Sequence, residues 1–346
     1  MASRFGLGLE TGSQLLRFGC YLGLNRLVGW QTDRRGQRPR YKAERPVPSE
    51  RAILDDLFKL CLRDARAVDD GLLPPMGDGV ALPRQLARVR AMLADLPSAL
   101  DRRERQDAGS IRDIAVAGSV PDYYAQDFHY QTGGYLTDES ARLYDLQVET
   151  LFLGGAAPMR REALRPVGEY LKGRDQRRVA LADVACGTGR FLGDVRRLWP
   201  AMKLTGIDLS ENYLAEARRH LRPLRQARWL HANAEEVPLA DGSQDVVTSI
   251  FLFHELPRNV RARVTAEMAR IVRRGGLVVL VDSLQMGDRP DWDGLLEGFP
   301  VRFHEPYFAD YAVDDLESHF RAAGLEVQSV WTSFLSKVMV ARKPAN

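Results

Sequence analysis

Cysteine is scarce in this chain of 346 residues. Cys20, Cys61 and Cys186 stand far apart, with no CxxC pair and no Cys/His cluster at metal-ligand spacing. That excludes a zinc ribbon and a disulfide scaffold, and the odd count fits a reducing compartment. Long hydrophobic runs are also missing. The stretch from Phe18 to Trp30 is broken by Asn25 and Arg26 and falls short of the roughly 20 residues a membrane span needs. No charged, apolar and small-residue segments follow one another as in a secretion signal, so a cytoplasmic protein is expected. Charge of one sign does not dominate: the net charge is +3, and a composition of 45% hydrophobic and 27% charged residues is that of an ordinary globular protein.

The small net charge is unevenly placed. Residues 1–45 hold nine basic side chains against three acidic, so this arm carries +6 and the rest of the chain −3. Such an arm suits anionic lipid or nucleic acid, and its Leu, Phe and Trp content suits a membrane surface, so peripheral membrane contact through residues 1–45 is expected. Six glycines between residues 5 and 30 argue against a free helix there, and residues 31–48 read as linker. The basic arm is the one feature that favours nucleic acid, which is no strong signal.

Ser49 begins a helix over about 50–69 with an apolar stripe of Ile53, Leu54, Leu57, Phe58, Cys61 and Ala65. A second helix is expected from Pro83 to about Asp95, then a loose connection over 101–120. An aromatic-rich stretch, 122–153, carries a helix capped by Thr137. Another helix starts at Pro158 and runs to about Leu171. From Arg178 strands and helices alternate, with strands expected at 179–184, 203–207, 227–230, 244–251, 276–282, 325–331 and 334–341. That alternation implies a mostly parallel, doubly wound sheet covered on both faces. Only Thr332 and Ser333 separate the last two strands, so they should form a hairpin that leaves one antiparallel strand. The expected organisation is a basic arm and linker (1–48), a helical region (49–157) and an α/β domain (158–346) with an insert at about 285–312.

Residues 179–191 (VALADVACGTGRF) carry the chemistry. A strand ends at Asp183, a small-residue turn follows, and a helix opens after Gly189. The glycines allow a tight turn and a close ligand approach at the switch point of a doubly wound sheet. About nineteen residues on, Asp208 ends the second strand, where an acid commonly takes two ribose hydroxyls. A nicotinamide dehydrogenase shares the G-x-G turn, but its G-x-G-x-x-G pattern fails because position 192 is Leu. The carboxylate before the turn repels a pyrophosphate and suits an ammonium.

These residues resemble the class I S-adenosylmethionine-dependent methyltransferases, most closely the ubiquinone/menaquinone-biosynthesis branch. The resemblance runs over residues 178–284. It implies a Rossmann-like seven-stranded sheet with S-adenosylmethionine as cofactor. D-x-x-C-G-T-G, here Asp183, Ala185, Cys186, Gly187, Thr188 and Gly189, takes the methionine part. Asp208 takes the ribose, with Leu209 beside the adenine and Ser210 next to it. Asn233, Ala234 and Glu235, in a motif ending Val237-Pro238-Leu239, take the adenine edge, with Asn where Asp is commoner. Phe251 ends strand four, in a segment that runs on to His254-Glu255-Leu256-Pro257. The turn at Ile271–Gly276 has Arg274 where Pro is usual.

The acceptor side is less determined. His254 lies at the edge that faces the methyl group, and imidazole is a suitable general base. Tyr307 is a second catalytic candidate. Tyr130, Tyr135, His304, Phe308 and Tyr311 are candidates for binding the acceptor. His304 and Glu305 are adjacent, point in different directions and show no third ligand, so no metal is expected. The reading is a methyltransferase for a small apolar or aromatic acceptor, by O- or C-methylation. The competing readings are a protein or nucleic-acid methyltransferase and a non-catalytic module of the same fold. The N/D-P-P-Y motif of amino-base methylation is absent after strand four.

Overall fold

The computed structural model describes residues 4–37, 41–77, 82–109, 111 and 120–345, with backbone alone for residues 4–9. The chain begins with six helices: α1 (Arg4–Arg34), α2 (Glu50–Asp69), α3 (Leu82–Arg105), α4 (Asp138–Leu151), α5 (Ala156–Arg161) and α6 (Leu164–Leu171). Then come β1 (Ala180–Val184), α7 (Arg190–Leu198), β2 (Lys203–Asp208), α8 (Glu211–His220), β3 (Arg228–His231), β4 (Gln244–Ile250), α9 (Arg258–Ile271) and β5 (Val272–Ser283). The insert holds α10 (Asp293–Arg302) and α11 (Phe308–Tyr311), and α12 (Leu316–Ala322), β6 (Glu326–Ser333) and β7 (Ser336–Arg342) end the fold.

Local chemistry fixes several boundaries. The Ser49 hydroxyl accepts the Ala52 N–H at 3.2 Å and starts α2. Thr137 takes the Ser140 N–H at 3.1 Å and starts α4. Ser210 takes the Tyr213 N–H at 3.3 Å and starts α8.

The sheet order is β3-β2-β1-β4-β5-β7-β6, all parallel except β7, which runs antiparallel to both β5 and β6. The order reverses between β1 and β4, so the switch point lies above Val184 and Ser249, which are paired in register. Alternate residues along each strand feed opposite faces. Ala182, Val247, Val278 and Leu280 pack against α9 and α12 through Val264, Met268 and Phe320. Leu181, Val246, Leu277 and Val279 pack against α6 and α7 through Val167, Phe191 and Val195. The result is the three-layer, Rossmann-like arrangement the alternation implies.

Several boundaries differ from expectation. Residues 5–30 form most of a 31-residue helix despite their glycines. Tertiary bonds outweigh propensity here. Gln14 donates to buried Asp64 at 2.8 Å, Arg17 to the Gly154 carbonyl at 2.7 Å and Asn25 to the Thr150 carbonyl at 3.1 Å. The α3 helix runs ten residues past Asp95, carrying Pro97 inside it. The connection expected over 101–120 begins helical, and its residues 110 and 112–119 lie outside the described residues, as do Arg38 and Arg40 of the arm. The helix expected from Pro158 is two short helices, and Pro158 sits inside the first. β5 starts at Val272 because the Arg273–Gly276 turn continues the strand, with Gly275 donating to the Lys343 carbonyl at 2.8 Å. The hairpin turn is at Phe334-Leu335, two residues later than expected.

Candidate active site

The turn after β1 is built from left-handed backbone: Ala185 (φ 58°), Gly187 (53°) and Gly189 (73°). Glycine adopts this geometry without a Cβ clash, whereas Ala185 adopts it at a cost of about 1–2 kcal/mol. A side chain on Gly189 would meet the Ala217 Cβ at 2.9 Å, whereas the space above Gly187 is open. Asp208 closes the turn from β2. Its Oδ2 accepts the Gly187 N–H and its Oδ1 the Ser210 N–H, both at 2.8 Å. Burial raises its pKa to about 6 against the pull of those bonds. Asp183 is buried at the end of β1 and accepts a hydrogen bond from the Thr248 hydroxyl at 2.6 Å. Burial, helped by the nearby Asp208, lifts it to about 7.

These groups share one cleft. Asp183, Ala185, Cys186, Gly187, Thr188, Asp208, Leu209, Asn233, Ala234 and Phe251 line it. Gly189, Ser210 and Glu235 do not: they cap α7, cap α8 and pair with Tyr123 and Arg263 respectively. The Asn233 side-chain oxygen accepts the Glu235 N–H at 3.0 Å, leaving one lone pair free. The helical half contributes Tyr124, Tyr135, Tyr144 and Asp145 to the same cleft, along with Arg160, a cation the sequence reading did not single out. Thr188 and Arg190 both donate to Asp145 at 2.7 Å. The Arg160 guanidinium has no ion-pair partner among the described residues.

A second cavity of about 440 Å³ adjoins the first, a volume typical of small-molecule sites. Tyr144, Val148, Phe251 and Glu255 line both. Its walls are mostly apolar and come from α4, from the insert (Phe299, Phe303 and Phe308) and from the β6–β7 turn (Phe334). Polar groups gather at one side. Asp282, buried at the end of β5, contacts His254 Nδ1 at 2.6 Å and accepts the Phe253 N–H at 2.7 Å. Burial disfavours the charged imidazole of His254, but the carboxylates of Asp282, Glu305 and Glu255 outweigh it and lift its pKa to about 10. Tyr135 donates to Glu255 at 2.5 Å, and burial together with Glu305 raises the Glu255 pKa. His129 is raised too, because Glu305 beside it overcomes burial.

Of the residues expected on the acceptor side, His254 and Phe308 line the second cavity and Tyr135 the first. Tyr307 lies away from both and accepts a hydrogen bond from Gln126 at 3.0 Å. Tyr130 packs on His304, which bonds Gln126 in turn. Tyr311 is core, donating to the Ser283 carbonyl and packing against His254. Glu305 turns away from His304 to meet His129 and Glu255, residues distant in sequence that supply the partners adjacency could not. The sequence reading places His129 with the aromatic residues of 122–153 that cover the cofactor or acceptor, but assigns no role to Arg160, Glu255 or Asp282. One signal pointed to three of the clustered residues: Phe-His occurs at 128–129, 253–254 and 303–304, and Glu follows the last two.

Residues 181–276 match the family model described as a methyltransferase domain. Over 104 residues the chain is 34% identical to the demethylmenaquinone methyltransferase of Staphylococcus aureus strain JH9, covering 30% of this chain and 42% of the relative. Residues 181–276 are therefore a methyltransferase domain. The chain thus spans less than half the length of the curated relatives it matches. Among solved structures it is similar to geranyl diphosphate C-methyltransferase from Streptomyces coelicolor A3(2) (14% identity, 55% of this chain, 84% of that chain, TM-score 0.40). It is also similar to the [4+2]-cyclase SpnF (19%, 53% and 82%, TM-score 0.41).

Proposed function

We propose that the chain transfers a methyl group from S-adenosylmethionine to a small apolar or aromatic acceptor bound in the second cavity. The observation that carries this reading is the junction of two unlike cavities at Tyr144, Phe251 and Glu255. One is lined by the buried Asp183, the half-buried Asp208 and a glycine turn. The other is apolar with a polar side.

The cofactor cleft fits its ligand residue by residue. Asp208 keeps lone pairs for a ribose diol after taking two backbone N–H groups. Asp183 is a buried carboxylate without a counter-ion, suited to an ammonium. Arg160 faces the same end of the cleft and pairs with a carboxylate. The open space above Gly187 lets the ligand approach the backbone. Asn233 and Leu209 flank the adenine.

The cofactor supplies a methyl group on an activated sulfonium, so the protein's work is alignment and exclusion of water. Tyr144 and Phe251 form the wall both cavities share and orient the two reactants. Asp282 fixes the His254 ring through Nδ1, and the carboxylates around it keep the ring protonated at neutral pH, so Nε2–H is left to donate to an acceptor oxygen and stabilise negative charge on it. Tyr307 is half-buried beside Gln126 and acts, in this reading, only through the packing of the insert. The helical region and the 285–312 insert form the acceptor pocket.

The test is calorimetric titration with S-adenosylhomocysteine, followed by transfer of a labelled methyl group to apolar phenols and enols. Tight binding with label transfer supports the reading. Absence of binding overturns it, and binding without transfer to any such acceptor points to the non-catalytic module.

A further inference from the structure

Glu305 has a wholly buried side chain, yet neither of its carboxylate oxygens receives an aligned hydrogen bond. Its Oε1 lies 2.9 Å from His129 Nε2, which in turn lies 4.0 Å from Glu255 Oε1. One donor atom from each of the three residues lies within 4.8 Å of the other two. An ion held at about 2.1 Å sets its donors about 3.0 Å apart at right angles and about 4.2 Å apart in line. The 2.9 Å separation suits donors at right angles, the 4.0 Å separation suits donors nearly in line, and the third pair lies within 4.8 Å.

Glu305 and Asp282 are buried here with the imidazole of His254, and the half-buried Glu255 and His129 lie against them. Burying unbalanced negative charge is costly, and a divalent cation removes the imbalance. The chain also orients the donors. Tyr135 holds Glu255 by its hydroxyl, as the outer partners of metal ligands do. His129 sits in left-handed backbone (φ 55°), fixed by its N–H to the His304 carbonyl at 3.1 Å. His129 and Glu255 both line the acceptor cavity.

We propose that His129, Glu255 and Glu305 form a divalent-cation site at the polar side of the acceptor cavity. One imidazole and two carboxylates suit a hard or borderline ion such as Mg²⁺ or Mn²⁺. Three protein ligands leave coordination positions open for an oxygen of whatever the cavity holds. The site itself stands on the three residues. That this oxygen belongs to a methyl acceptor rests on the proposed function.

The experiment is titration of the chelator-treated full chain with Mn²⁺, followed by calorimetry and by the electron paramagnetic resonance of free Mn²⁺. Stoichiometric binding is expected, together with a higher Tm in Mn²⁺. Glu305→Gln and His129→Ala should each weaken it by at least about tenfold. Asp208→Ala, which alters the cofactor cleft, should leave Mn²⁺ affinity unchanged, so failure of the cation site and failure of the methyltransferase reading are separable. The proposal is overturned if the unaltered chain binds neither Mn²⁺ nor Mg²⁺, or if Glu305→Gln binds Mn²⁺ as well as the unaltered chain. Either result leaves an ion-pair cluster only.

Discussion

Asp208 and Gly187 are joined across the switch point by a 2.8 Å hydrogen bond from the glycine N–H to the carboxylate. The bond ties the end of β2 to the turn after β1, so one side chain both shapes the turn and presents lone pairs to the cleft. Hydrogen bonds to a charged group contribute about 1.5–3 kcal/mol each. Asp208→Ala removes two such bonds to a ribose diol as well as the brace on the turn. Affinity for S-adenosylhomocysteine should fall by about 100-fold or more, as read by calorimetry. Unchanged affinity means that the ligand does not lie against Asp208.

Arg160 makes a finer test, because only one part of the cofactor should feel it. Arg160→Ala removes a charge-assisted contact to the amino-acid carboxylate, and affinity for S-adenosylhomocysteine should drop about 10–100-fold. Methylthioadenosine has the same sulfur and nucleoside but no amino-acid group, so its affinity should not change. Equal losses for both ligands would mean that Arg160 acts through the packing of α5 instead.

Asp183 links cofactor binding to pH. Its pKa in the folded protein is about 7, raised from an ordinary value near 4 by burial. A raised carboxylate pKa stabilises the folded protein below that pKa, and the contribution is lost as pH rises from the unfolded value through 7. The ligand-free Tm should therefore climb as pH falls from 8 to 6. Binding an ammonium requires the ionised carboxylate, so cofactor affinity runs the other way and weakens over the same interval. Binding at pH 6.5 should release protons, detected as a dependence of the calorimetric heat on buffer ionisation enthalpy. Asp183→Asn should flatten the pH dependence of affinity. An undiminished slope in that variant would assign the proton to another group.

The parts of this fold that were readable from sequence are those whose cause is local. Ser49, Thr137 and Ser210 cap the helices that follow them, and the 179–191 turn carries its own glycines. What was not readable depends on distant partners. The six glycines of α1 argue against a helix until Asp64, Gly154 and Thr150 provide bonds. His129, Glu255 and Glu305 come from three separate segments, and no periodicity relates them. Arg160 lies ahead of the strand-and-turn motifs whose cleft it lines, in a short helix whose pattern speaks only of packing.

We predict that the outward face of α1 meets an anionic membrane surface. Leu15, Leu16, Leu27 and Trp30 are exposed, and Arg26 stands among them. No helix of the described residues is long and apolar enough to cross a bilayer. Apolar side chains beside arginines favour the interface of an anionic membrane, where each buried large side chain contributes about 1.5–3 kcal/mol. The full chain should pellet with phosphatidylglycerol vesicles and stay in the supernatant with phosphatidylcholine. Leu16→Glu combined with Trp30→Glu places charge where the apolar face would insert, and should abolish pelleting. Both side chains point to solvent, so the Tm should hardly move. If the double variant pellets like the parent, the arginines alone hold the chain to the vesicle, and the association should then vanish in high salt.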